Sequence, residues 1–225
     1  MPPPLGDDMS RPGFSAFILI LLVLAGSTLL PAADIPVEPY IEASFATEGP
    51  LSLFCSPDGG GYPFSLAFDQ AGNQVDGTLT IILYNDYPPW GEPVANYPNE
   101  DIWLMDVDGD LAACNSGTIC DVNTDANGMT YWSGSLHVGG HAEPVGGNQV
   151  AISVSGWVLE VSALEEFHLN SADLNGDRWV SLHDVVLFTE IYFGPYAYEG
   201  DFHWDGVVNL SDLAAFARTY GAECP

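Results

Sequence analysis

Residues 173–184 read DLNGDRWVSLHD and residues 201–212 read DFHWDGVVNLSD, one twelve-residue pattern written twice at an offset of 28. Oxygen-bearing side chains recur at positions 1, 3, 5, 9 and 12 of each copy. A hard divalent cation such as calcium needs six to eight oxygens on a tight loop, and this spacing supplies them together with the carbonyl of position 7. In the first copy the candidate ligands are Asp173, Asn175, Asp177, Ser181 (through a water) and Asp184, with the Trp179 carbonyl. In the second they are Asp201, His203, Asp205, Asn209 and Asp212, with the Val207 carbonyl. Val180 and Val208 hold position 8 of each copy, where two such loops can pair through a short strand. One apolar stripe follows each loop, Val185, Val186 and Phe188 after the first and Leu213, Phe216 and Tyr220 after the second, so each loop opens a helix.

No helix of similar quality precedes either loop, and position 12 is Asp where an ordinary EF-hand has Glu. A duplicated loop and helix of this kind resembles the dockerin family, and the resemblance covers residues 173–221. It implies a small α-helical EF-hand pair over 171–225 that folds on binding two calcium ions and docks onto a cohesin-like domain. It also implies that positions 10 and 11, here Leu182 and His183, then Leu210 and Ser211, help choose that partner. Two departures stand out. Arg178 holds position 6, where the backbone favours glycine, and His203 offers imidazole where an oxygen is usual. Both predict weaker affinity than a buffer-type site.

Upstream, short apolar runs at 40–45, 51–55, 79–84, 102–105, 129–136, 150–154 and 157–161 predict strands. Turn residues separate them: Asp58-Gly59-Gly60-Gly61, Ala71-Gly72-Asn73, Asn127-Gly128, Gly139-Gly140 and Gly146-Gly147. The class is therefore mostly β. The stretch 78–105, with Gly91-Glu92-Pro93-Val94 inside it, and the turn 124–130 resemble bacterial invasin-type immunoglobulin-like domains. That resemblance implies an immunoglobulin-like β-sandwich over residues 34–170.

The remaining features bound the function. The chain has 225 residues, three Lys+Arg against 31 Asp+Glu, and a formal net charge of −28. Such a charge excludes nucleic acid and anionic lipid membranes as natural partners. Residues 14–24, FSAFILILLVL, follow Arg11 and precede Ala25-Gly26-Ser27, the layout of a secretory signal peptide over 1–33. Cleavage fits after Ser27 or near Ala32 and Ala33. A retained anchor is the rival reading, because the apolar character continues through Leu30. Export makes oxidation the default for Cys55, Cys114, Cys120 and Cys224, which allow three pairings. The favoured one joins Cys114 to Cys120 and Cys55 to Cys224.

Weaker constellations include Asp106, Asp108 and Asp110, and Asp121, Asn123, Asp125 and Asn127, each a candidate third calcium site or a set of ordinary Asx turns. His137, His141 and Glu143 contain zinc-ligand types on a spacer that is not helical, and a surface loop is the better reading. Tyr84, Tyr87, Trp90 and Tyr97 surround an aromatic-rich loop suited to stacking on sugar rings. No nucleophile motif, phosphate loop or acid and base pair stands out, so the expectation is a secreted, non-catalytic binding protein of the extracellular space or cell surface. The alternatives are a calcium-stiffened structural surface protein and a carbohydrate-binding module.

Overall fold

The computed structural model describes residues 39–87, 89–144 and 149–225. The expected signal peptide lies outside them. Within the described residues no helix is long and apolar enough to cross a membrane.

Among the described residues, twelve strands and two α-helices make the structure mostly β, as the sequence predicts. The strands are β1 (Tyr40–Phe45), β2 (Leu51–Cys55), β3 (Ala67–Asp69), β4 (Gln74–Val75), β5 (Leu79–Tyr84), β6 (Ile102–Asp106), β7 (Leu111–Ala113), β8 (Met129–Trp132), β9 (Val138–Ala142), β10 (Val150–Val154), β11 (Trp157–Leu159) and β12 (Phe167–Ser171). The helices are α1 (Leu182–Phe193) and α2 (Leu210–Thr219). They form three sheets, ordered β1-β5-β8, β11-β10-β6 and β4-β3-β2-β12-β9-β7. Six of the predicted strands fall within a residue or two of β1, β2, β5, β6, β10 and β11, and the run 129–136 forms only the four residues of β8. The strand β9 replaces the turn predicted at Gly139-Gly140. Two glycines hide its pattern, yet Gly139 and Gly140 are both buried and the strand pairs with β7 and β12.

Strand β12 runs parallel to β2, with Phe167 opposite Leu51 and Ser171 opposite Cys55. All ten residues of the two strands are buried. Alternation along a strand sends successive side chains to opposite faces, so full burial means that the sheet is covered on both. On one face Leu51, Leu53, Cys55, Phe167 and Leu169 join a core with Ile81, Ile102, Trp132, Val150 and Ile152. On the other, Phe54 packs with Val180, Phe188, Phe202 and Phe216, its ring centroid 4.6 Å from that of Phe202. On that second face too, the Ser52 and Tyr198 hydroxyls share a hydrogen bond of 3.2 Å, and the Asn170 amide donates to the Asp201 carbonyl at 2.9 Å. The described residues all belong to one compact unit, and the boundary predicted at 170 falls inside β12.

His168 sits on the second face with ring centroids 5.1 Å from Tyr198 and 4.8 Å from Trp204. Burial pulls its pKa down to about 4 from the ordinary value near 6.5, since an imidazolium among these rings is poorly solvated.

Because Phe54 ties the helices to the central sheet, Phe54→Ala should cost about 3–5 kcal/mol. Chemical denaturation of residues 34–225 should show a single transition moved to lower denaturant by that amount. A second prediction concerns pH. His168 binds its proton more weakly folded than unfolded, so its contribution is present above its unfolded pKa and is lost as the pH falls from about 6.5 to about 4. The denaturation midpoint of the wild type, measured relative to that of His168→Phe, should decline across that window.

Candidate cation-binding loops

Chain leaving β12 enters the first loop directly at Asp173, and the two loops share the same backbone bonds to their acids at positions 1 and 12. In the first, the Asp173 carboxylate accepts from the backbone N–H of Asp177 (3.1 Å) and Arg178 (2.6 Å). In the second, Asp201 accepts from Asp205 (3.2 Å) and Gly206 (2.8 Å). Asp184 accepts from Asn175 (3.3 Å) and Ser181 (2.8 Å), and Asp212 from His203 (3.2 Å) and Asn209 (2.8 Å). The backbone is left-handed at positions 4 and 6 of both, with φ of +67° at Gly176, +72° at Arg178, +53° at Trp204 and +82° at Gly206. Arg178 thus adopts the conformation that glycine would take without strain, at a cost on the order of 1 kcal/mol.

Ser181 and Asn209 cap α1 and α2. Each side chain accepts from the N–H two residues on (3.1 Å from His183, 2.8 Å from Ser211), and the acid at position 12 returns the bond. The same residues that would bind a cation therefore also start the helices, each cap adding about 1 kcal/mol. Leu182 and Leu210, both 70% exposed, begin the two helices, and each is followed by an exposed residue, His183 and Ser211.

The four carboxylates at positions 1 and 12 have no solvent exposure at all. Burial raises the pKa of Asp173, reinforced by Asp184 and Asp177, while N–H donors from Arg178 and Asp177 oppose the shift. Asp201 is raised in the same way by burial and Asp212, against donation from Gly206, the Tyr196 hydroxyl (3.1 Å) and Asp205. Asn175, Asp177, Trp179, Asp205 and Val207 are exposed, and His203 is half-buried, its Nδ1 3.1 Å from an Asp212 oxygen. The Asn175 amide donates to Asp177 (2.9 Å), and the Asn209 amide donates to the Val207 carbonyl (3.2 Å). Among the described residues no three His, Cys, Asp or Glu side chains converge closely enough to hold a metal ion by themselves. The donor chemistry fits a hard cation, with all-oxygen donors in the first loop and one imidazole in the second. Closing either loop on an ion would turn these amides and exposed acids inward.

Several sequence expectations change. Val180 does not pair with Val208: its N–H donates to the Ala222 carbonyl (2.8 Å), and its carbonyl accepts from Gly221 (2.9 Å). The C-terminal segment has taken the place of the second loop. The cysteine pairing differs as well. Cys114 is bonded to Cys224, with Cα atoms 5.5 Å apart, while Cys55 and Cys120 are free thiols. Both free thiols are buried in the main core, and burial pushes the Cys120 thiol up to about 11 and Cys55 higher still, so neither is a reactive thiolate. Cys120 faces that core while Cys114 faces the C-terminal segment, which rules out the short loop predicted between them.

Asp125 accepts from the N–H of Asn127 (2.7 Å) and Met129 (2.9 Å), an Asx turn, whereas Asp106 accepts from the N–H of Asp110, four residues on, and closes the 106–110 loop. His141 lies on β9 and not in a surface loop, its Nε2 3.7 Å from Glu199. Of the aromatic set, Trp90 and Tyr87 are 78% and 64% exposed, whereas Tyr97 is buried and its hydroxyl meets Ser155 Oγ at 2.5 Å. Sequence reasoning missed Tyr196 and the support from β9, where the Gly140 N–H donates to the Asp173 carbonyl (2.7 Å). Comparisons of the chain with protein-family models, with curated proteins and with solved structures found no match.

A β-carbon at residue 139 would collide with the Asp173 carboxylate, whereas at Gly134 it would meet nothing closer than 3.9 Å. Gly139→Ala should therefore lower folding free energy by about 1–3 kcal/mol in urea denaturation, with Gly134→Ala as the near-neutral control.

Proposed function

We propose that this chain is an exported, non-catalytic calcium-binding protein whose dockerin-like EF-hand pair docks onto a cohesin-like partner in an extracellular or cell-surface assembly. In this reading the upstream β-rich part is an immunoglobulin-like sandwich that carries the pair. The observation that supports it most is the repeat itself: two loops 28 residues apart whose fully buried carboxylates receive N–H bonds from the same loop positions. Four buried acids with no lysine or arginine side chain bonded to them among the described residues are costly to hold, and a divalent cation in each loop would offset that cost.

The ligands would be Asp173, Asn175, Asp177, the Trp179 carbonyl, Ser181 and Asp184 in the first loop. In the second they would be Asp201, Asp205, the Val207 carbonyl, Asn209 and Asp212, with a water standing in for His203. A bound calcium ion supplies charge neutralisation and folding free energy. The chain itself orients the acids through backbone N–H groups and presents Leu182, His183, Leu210 and Ser211 on the outside. The exposed leucines suit an apolar docking contact.

A second reading is a calcium-stiffened structural protein without a docking partner. The run of β12 into the first loop favours it, because that connection leaves no flexible tether.

Calorimetric titration of residues 34–225 should register two calcium ions and a melting temperature that rises with calcium. Both effects should fall by half or more in Asp177→Ala plus Asp205→Ala. Immobilised cohesin domains should retain the calcium-loaded chain but not Leu182→Asp plus Leu210→Asp. No heat at millimolar calcium refutes the cation reading, and two ions without retention leave the structural one.

A further inference from the structure

The two loops are alike inside but differ in what holds them from outside. Positions 6 to 8 of the first loop pair with the end of the chain. The Cys224 N–H donates to the Arg178 carbonyl (3.2 Å), Trp179 lies opposite Glu223, and Val180 exchanges two bonds with Gly221 and Ala222. Cys224 is in turn bonded to Cys114, 110 residues earlier in the chain. Cys114 follows β7 and donates its N–H to the His137 carbonyl (2.9 Å) at the start of β9. Strand β9 holds the opposite end of the same loop, through Gly140 on the Asp173 carbonyl and Gly139 against its carboxylate. Position 1 is therefore gripped by β9 and positions 6 to 8 by the chain end, and the disulfide ties the chain end to Cys114, the residue after the β7 strand that pairs with β9. Among the described residues no backbone hydrogen bond from another segment reaches residues 206–208 of the second loop.

We propose that the Cys114–Cys224 disulfide is a thiol-sensitive lock on the first cation loop alone. While it is closed, residues 221–224 hold the Trp179 carbonyl between two paired neighbours and fix the backbone of positions 6 to 8, so that only the exposed side chains of the loop have to turn toward an ion. Opening it takes an external dithiol. A thiolate attacks Sγ of Cys224, which is half-buried where Cys114 is buried, and the Cys114 sulfur leaves as a thiolate that takes up a proton. The second thiol then displaces Cys224, so two thiols form on the protein and the reagent becomes a disulfide. The terminal segment is then tethered only by its backbone bonds, and the first loop loses preorganisation while the second keeps its own. The proposal rests on the cation-binding reading above.

The test uses residues 34–225 with one loop disabled at a time through exposed ligands. Asp205→Ala leaves the first loop to report, and Asn175→Ala plus Asp177→Ala leaves the second. Calcium calorimetry with and without dithiothreitol, and in Cys224→Ser, should show a first-loop Kd raised at least tenfold by dithiothreitol or by the substitution. The second-loop Kd should change less than twofold, and dithiothreitol should add nothing in the Cys224→Ser background. Equal weakening of both loops, including through loss of the folded state by circular dichroism, overturns the lock. So does a first-loop Kd indifferent to reduction. Absence of calcium binding in the oxidised wild type refutes the cation reading and the lock together, whereas two ions bound with reduction-insensitive affinity refute the lock alone.

Discussion

Phe167 and Leu169 leave β12 on one side and His168 and Asn170 on the other, and every one of them is buried. A strand in that position has no face left for water, so something must cover each side of the sheet. The main core covers one. The two loops and their helices cover the other through Phe54, Phe188, Phe202 and Phe216. The loop-and-helix pair is thus packed against the β structure through aromatic rings, and the first loop is a continuation of the same strand. Its geometry is inherited from the sheet, which is why β9 can support Asp173 by two adjacent glycines.

The electrostatics of the loops follows from that placement. Four carboxylates are sealed from solvent in a chain whose formal charge is already −28. Backbone N–H groups satisfy their lone pairs but supply only partial positive charge, so Asp173 and Asp201 remain harder to ionise than an exposed aspartate. The left-handed residues at positions 4 and 6 turn these N–H groups inward, and the capping boxes couple each loop to the start of a helix. Loop shape, helix initiation and charge burial are one set of interactions.

Much of this was legible in residue order. The twelve-residue repeat, its position 1 and 12 acids, the helix starts and six of the strands depend on neighbours within a few residues, where spacing and side-chain type are informative. Strands β3, β4, β7, β9 and β12 were not, because they are short, rich in glycine or polar, and stabilised by partners far away in the chain. His168 and Asn170 read as polar positions and became interior ones once Tyr198, Trp204 and Asp201 closed over them.

By itself the sequence determined what each loop contains: the acids, the amides, the left-handed turn positions and the helix that follows, all set within twelve residues. Tertiary structure alone decided what each loop touches. The pairing of Val180 with Ala222, the bond between Cys114 and Cys224 and the support of Asp173 by β9 join residues from about 30 to 110 positions apart. Such choices depend on which segments the shared core brings within bonding distance. Local propensity carries no trace of them, because the four cysteines look alike until the packed strands turn two inward and bring the other two together.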